Sequence, residues 1–139
     1  VQTCALPISL PICNIMSPTL ENFNTLVISK VWKSSVISKN NIKALKDDLT
    51  EVIEDPNGTG HVAKISGVNL AGKTGTAELK KDAKDITAEE NGWFVCMNTD
   101  NPKIVVSMIM ENVKNTGGSH HVVPIVKGVM ENYLKTASK

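Results

Sequence analysis

Lys73-Thr74-Gly75-Thr76 sets an ammonium, two hydroxyls and a residue without a side chain in one row, inside GVNLAGKTGTAEL (Gly67 to Leu79). Two chemistries can use these types. Gly67, Gly72, Lys73 and Thr74 fit the spacing G-x-x-x-x-G-K-[ST], in which backbone N–H groups and a lysine cradle phosphate. The same letters also contain the run K-T-G-T, a string that occurs along acyl-transfer sites. The elements around the stretch decide between the two.

Ser38 can cap a helix by taking an orphan backbone N–H. Ile42, Leu45, Leu49, Val52 and Ile53 then recur at helical spacing, opposite Lys43, Lys46, Asp47 and Glu51. Asp55-Pro56 ends that helix, because the residue before proline is pushed out of the helical region. Asn57-Gly58-Thr59-Gly60 supplies a turn. His61 to Ser66 alternates weakly and reads as a strand, and Leu70 to Lys80 is the next. Lys81 to Asn91 is charged, lacks apolar periodicity and reads as a loop. Gly92 to Asn98 and Lys103 to Glu111 are two strands joined through the turn formers Thr99-Asp100-Asn101-Pro102. After Gly117-Gly118-Ser119 comes a last helix with Pro124 in its first turn. Its expected buried stripe is Ile125, Val126, Val129, Met130, Tyr133 and Leu134. The order predicts an α+β fold, an antiparallel sheet with flanking helices.

This setting leaves a phosphate-loop nucleotide-binding protein only as a remote alternative, since such a loop needs a buried parallel strand before its first glycine and a long helix after its Lys-Thr. The segment before Gly67 carries His61, Lys64 and Ser66, and Gly75-Thr76 is poor material for a helix start. The strands that follow form a hairpin rather than a helical crossover.

Composition sets further bounds. The 139 residues allow one domain with a real core, and apolar (41 %) and charged (21 %) contents are ordinary for a soluble globular chain. All fifteen cationic residues are lysine, and the net charge of +1 gives no global field for nucleic acid, so no nucleic-acid partner is expected. Cys4, Cys13 and Cys96 are odd in number and lack metal-ligand spacing, and Cys96 reads as a buried small side chain. His61, His120 and His121 form no ligand set and read as loop or cap residues, so neither a metal nor a cofactor is expected.

From about Val31 onward the chain resembles the last third of the transpeptidase domain of class B penicillin-binding proteins. The matching pieces are VWKSSVIS, VIEDPNGTGHVAKISG, LAGKTGTAELK, NGWFV and GGSHHVVPIVKGVMENYL, with NIMSP (Asn14 to Pro18) a weaker one. In that family a serine attacks the D-Ala-D-Ala bond of a peptidoglycan stem peptide, or the ring of a β-lactam antibiotic, and forms an acyl-enzyme. The resemblance implies that the K-T-G strand borders the cleft and takes substrate along its edge like an added strand. Lys73 would supply cleft charge, and the Thr76 backbone N–H one oxyanion-hole donor. Thr74, Gly75 and Thr76 would bind the substrate. Trp93 and Phe94 more simply pack the sheet, whereas Glu78 reads equally as a surface residue or a cleft-rim acid. A parent protein anchored on the extracytoplasmic face of the membrane is implied as well.

Two family motifs are missing from this sequence. No serine is followed by lysine at the third position, so S-x-x-K, the nucleophile's motif, is absent. Ser38-Lys39-Asn40 satisfies S-x-N as a string, but it falls at a helix cap. The expectation is therefore a C-terminal fragment, inactive alone, whose partners are the stem peptide, β-lactams and the missing N-terminal half of its own domain. Such a fragment would expose apolar strand faces. A non-catalytic β-lactam sensor of the same superfamily and a self-sufficient binding module remain as alternatives. Residues 1–9 look foreign: one back-translation of Val1 to Ile8 resembles the end of a common short-read sequencing adapter. The expected division is residues 1–9 as artefact, 10–37 as a poorly defined extended segment and 38–139 as transpeptidase domain.

Overall fold

A computed structural model of the chain describes residues 15–17 and 30–136. The adapter-like octet, Cys4, Cys13 and most of the segment 10–29 lie outside the described residues. Those described fall into two compact units divided between Leu45 and Lys46. In the first, β1 (Ile15–Ser17) pairs antiparallel with β2 (Lys30–Lys33). α1 (Lys39–Glu54) begins in this unit and ends in the next. As its sequence predicts, Ser38 caps it: the hydroxyl accepts the Asn41 N–H at 3.2 Å.

The second unit holds the candidate site. Three groups close the last turn of α1. The Glu51, Val52 and Ile53 carbonyls accept from the Asp55 N–H, the Gly60 N–H and His61 Nδ1, satisfying acceptors that a helix end leaves orphaned. This is why the expected strand at His61 to Ser66 does not form. With Gly60 and His61 committed to the helix end, the chain winds into a short 3-10 turn over His61–Ala63, followed by an isolated bridge between Ile65 and Val68. Of the stripe expected on α1, Ile53 is fully buried and Leu45 is 48 % exposed.

β3 (Leu70–Glu78), β4 (Glu90–Asn98) and β5 (Val105–Met110) form an antiparallel sheet in the order β3-β4-β5. The β4–β5 turn is organised by the buried Asn98. Its amide donates to the Asp100 and Asn101 carbonyls, and its side-chain oxygen accepts from the Lys103 and Ile104 N–H groups. The longer β3–β4 connection is a loop as expected, with bonds of its own. Asp85 Oδ1 accepts from the Thr87 N–H and hydroxyl and from the Ala88 N–H, which holds its carboxyl below the usual range. The Lys114 ammonium ties the Ile86 and Ala88 carbonyls.

α2 (Ser119–Thr136) packs on one face of the sheet. It starts five residues before Pro124, so the proline lies inside the helix rather than in its first turn. Val126 and Met130 are buried as expected, and with Val122 and Val123 they meet Phe94, Cys96 and Val106, while Ile53, Ala63 and Leu70 complete the core. Ile125, Val129 and Tyr133, expected inside, are 40–43 % exposed. On the opposite sheet face Trp93 and Ile109 are also exposed, the uncovered strand surface that the sequence predicts.

Cys96 is fully buried, and burial pushes its thiol up from 9.0 to about 12. The folded state holds this proton more tightly than the unfolded chain. That contribution is complete below pH 9 and is lost as the pH rises towards about 12. Urea midpoints of the domain are expected to fall across that window, and to fall less in Cys96→Ala. Equal alkaline losses in both proteins would exclude the thiol as the cause.

Candidate active site

β3 is an outer strand, and its register decides which backbone groups face outward. The Leu79 N–H donates to the Glu89 carbonyl and the Thr99 N–H to the Asn69 carbonyl, in step with the β3–β4 pairing. In an antiparallel ladder, alternate residues exchange both bonds with the partner. The odd-numbered β3 residues therefore bond β4. Gly72, Thr74 and Thr76 direct their N–H and C=O groups to the edge away from β4, where β3 has no neighbour among the described residues.

Along this edge the motif residues divide. The Lys73 ammonium reaches 2.8 Å to the Thr74 carbonyl and stays exposed. Thr74 is 6 % exposed, and its hydroxyl lies 2.7 Å from that of Thr59. Thr76 is exposed, and its hydroxyl accepts the Ser119 N–H at 3.2 Å. A backbone N–H can only donate, so the Thr76 hydroxyl keeps its own proton for another acceptor. The N-terminus of α2 also brings a partial positive charge, about half a unit for a regular helix, beside Thr76. Cation, helix terminus and outward N–H groups make the edge suited to an anionic peptide end.

Two glycine contacts set this geometry. A Cβ at Gly92 would lie 2.9 Å from the Gly118 carbonyl and the Ser119 nitrogen, so only glycine lets the start of α2 approach Thr76. A Cβ at Gly75 would lie 2.1 Å from Trp93 Nε1. The resemblance assigns the bare position at Gly75 to an approaching ligand. In the structure the Trp93 indole, 37 % exposed, fills the space over it. Phe94, by contrast, is a core residue.

Other candidate residues have structural partners. Glu78 pairs with Lys80 at 2.7 Å, His61 closes α1, and His120 and His121 sit in the first turn of α2. Gly72-Lys73-Thr74 lies within β3 with no helix following, which overturns the phosphate-loop reading. The sequence reading gave no role to Thr59, Gly92 or Ser119. Their signals are the G-T-G, N-G-W-F-V and G-G-S strings, which served as turn or strand markers and as pieces of the resemblance without a role for these three residues.

An antiparallel sheet whose outer strand carries K-T-G-T, backed by a C-terminal helix, defines a class of protein, and direct comparison agrees. The chain belongs to the family described as the penicillin binding protein transpeptidase domain, which it matches over residues 14–131. It is 37 % identical over 114 residues to penicillin-binding protein 3 of Bacillus subtilis, covering 82 % of this chain and 17 % of that protein. It is 37 % identical over 103 residues to the peptidoglycan D,D-transpeptidase MrdA of Haemophilus influenzae, covering 66 % and 16 %. The chain thus spans about one sixth of the length of these relatives. The fold matches the transpeptidase domain of penicillin-binding protein 3 from Burkholderia pseudomallei, with a TM-score of 0.62 and 24 % identity over 74 % of this chain and 32 % of that one. It also matches the transpeptidase domain of the FtsI4 D,D-transpeptidase from Legionella pneumophila, with a TM-score of 0.58 and 26 % identity over 72 % and 37 %.

Proposed function

We propose that residues 38–139 are the C-terminal part of the transpeptidase domain of a serine-type peptidoglycan D,D-transpeptidase, and that β3 is the substrate-facing edge of its cleft. The observation that carries this reading is the Thr76 position, where an outward backbone N–H and a hydroxyl left free to donate lie on the same strand edge as the Thr74 carbonyl that the Lys73 ammonium reaches. A stem peptide lying along β3 extends the sheet by one strand. Its terminal carboxylate meets Lys73 and the Thr74 and Thr76 hydroxyls. The carbonyl under attack points its developing charge at the Thr76 N–H. The nucleophilic serine, in an S-x-x-K motif, and the S-x-N serine come from an upstream part of the parent protein. The serine oxygen bonds the penultimate D-Ala carbonyl carbon, the terminal D-Ala leaves with a proton on its nitrogen, and an acceptor amine then takes the acyl group. A β-lactam enters the same path by ring opening and stays attached.

The parent protein acts on the extracytoplasmic face of the membrane, where stem peptides are. Among the described residues no helix is long and apolar enough to cross a membrane.

Labelling with fluorescent penicillin, together with turnover of a D-Ala-D-Ala stem peptide, tests the proposal. The full-length protein is expected to label and to release D-Ala, while a polypeptide of residues 30–139 does neither. Labelling without turnover would favour the sensor alternative. Labelling of the short polypeptide would overturn the assignment of the nucleophile to an upstream part.

A further inference from the structure

Gly58-Thr59-Gly60 stands outside the K-T-G-T strand, and transpeptidation as described gives it no role. A Cβ at Gly58 would lie 2.3 Å from the Val52 carbonyl oxygen, a clash no side-chain motion relieves. At Gly60 it would lie 3.1 Å from the Val52 side chain and 3.2 Å from the Phe94 ring. The two glycines therefore seat this turn tightly between the end of α1 and Phe94. The seating carries the Thr59 hydroxyl to 2.7 Å from that of Thr74, fifteen residues further along the chain. Thr74 is held at two points: its carbonyl accepts from the Lys73 ammonium, and its hydroxyl pairs with Thr59.

We propose that Thr59 is a positioning residue for acylation, holding the Thr74 hydroxyl and the adjoining β3 edge in place for the carboxylate of the bound peptide or lactam. The inference rests on the transpeptidase reading above. Either hydroxyl of the pair can donate. An anion at the edge selects the arrangement in which Thr59 donates to Thr74 and the Thr74 proton points to the anion, since each bond polarises the next. Thr59 itself touches no reacting atom. Its removal weakens carboxylate recognition and leaves the acylating machinery present.

The test uses the full-length protein with Thr59→Val, which keeps the shape and removes the hydroxyl, and Thr59→Ser, which keeps the hydroxyl. The probes are benzylpenicillin and its methyl ester, which lacks the carboxylate charge. Thr59→Val is expected to lower the second-order rate of acylation by benzylpenicillin roughly three- to tenfold. It should leave the slower rate with the ester and the thermal midpoint unchanged, and Thr59→Ser should behave as wild type. Should valine lower the midpoint, Thr59→Ala removes the same hydroxyl without added bulk, and its free-acid and ester rates decide. Equal losses with both probes, or no loss with either, would overturn the proposal. A wild-type protein that does not acylate at all overturns the transpeptidase reading, and the proposal with it, and is recognised before any variant is compared.

Discussion

Lys73→Met in the full-length protein is expected to slow acylation by penicillin by about 100- to 1,000-fold, the usual scale for losing a charge-stabilising donor in an acyl-transfer site. The Lys73 side chain is exposed, and its hydrogen bond is to the Thr74 carbonyl next along β3. Nothing in the core depends on it, so thermal stability should change little. Methionine keeps most of the length and removes the charge. Lys73→Arg should recover only part of the rate, because a planar fork does not replace a compact ammonium. Stopped-flow acylation kinetics beside a thermal melt would separate the two effects. An unchanged rate would take Lys73 out of the site.

The second large effect is on stability. Phe94→Ala is expected to cost about 3–5 kcal/mol, from lost apolar transfer and the cavity left behind. Out of a typical total of roughly 5–15 kcal/mol, that is a large share. Phe94 is fully buried, and its ring lies against the Cβ positions of both Gly72 and Gly60. One aromatic side chain thus supports the K-T-G strand and the G-T-G turn together. Urea unfolding would report the stability loss. Phe94→Leu should recover most of it, and a loss under 1 kcal/mol in the alanine variant would show that the site collapses around the gap.

Most of the fold was legible because its signals are local. The hairpin strands, the Ser38 cap, the helix end at Asp55-Pro56 and the Gly117-Gly118 break each rest on residues a few positions apart. Two errors share one cause. His61 is spent on the Ile53 carbonyl, and the start of α2 is fixed by Gly92 against Gly118; both facts depend on partners far along the chain or across a turn. On α2 the helical period found Val126 and Met130, but it put Ile125 and Val129 inside when they are at the surface, because which apolar row meets Phe94 and Val106 is decided by the sheet and not by the spacing. For the site, K-T-G-T named the strand, and the Trp93 cover over Gly75 was hidden. Cross-strand register decides that contact, and composition does not encode it. Thr59 was in view as a turn residue, but fifteen residues of intervening chain concealed the hydroxyl it meets.

The outward N–H and C=O groups of β3 have a consequence for drug escape on the proposed reading. A main-chain contact belongs to every amino acid except proline, so exchanging the side chain at Thr76 leaves its N–H where it was. An inhibitor that copies the backbone of the stem peptide is therefore gripped by atoms that point mutation does not delete. Resistance has to arise around the edge instead, in residues that tilt the strand, alter its charge or slow the acylation step. The same atoms serve the natural substrate, so any change that ruins them for the drug ruins them for cell-wall synthesis.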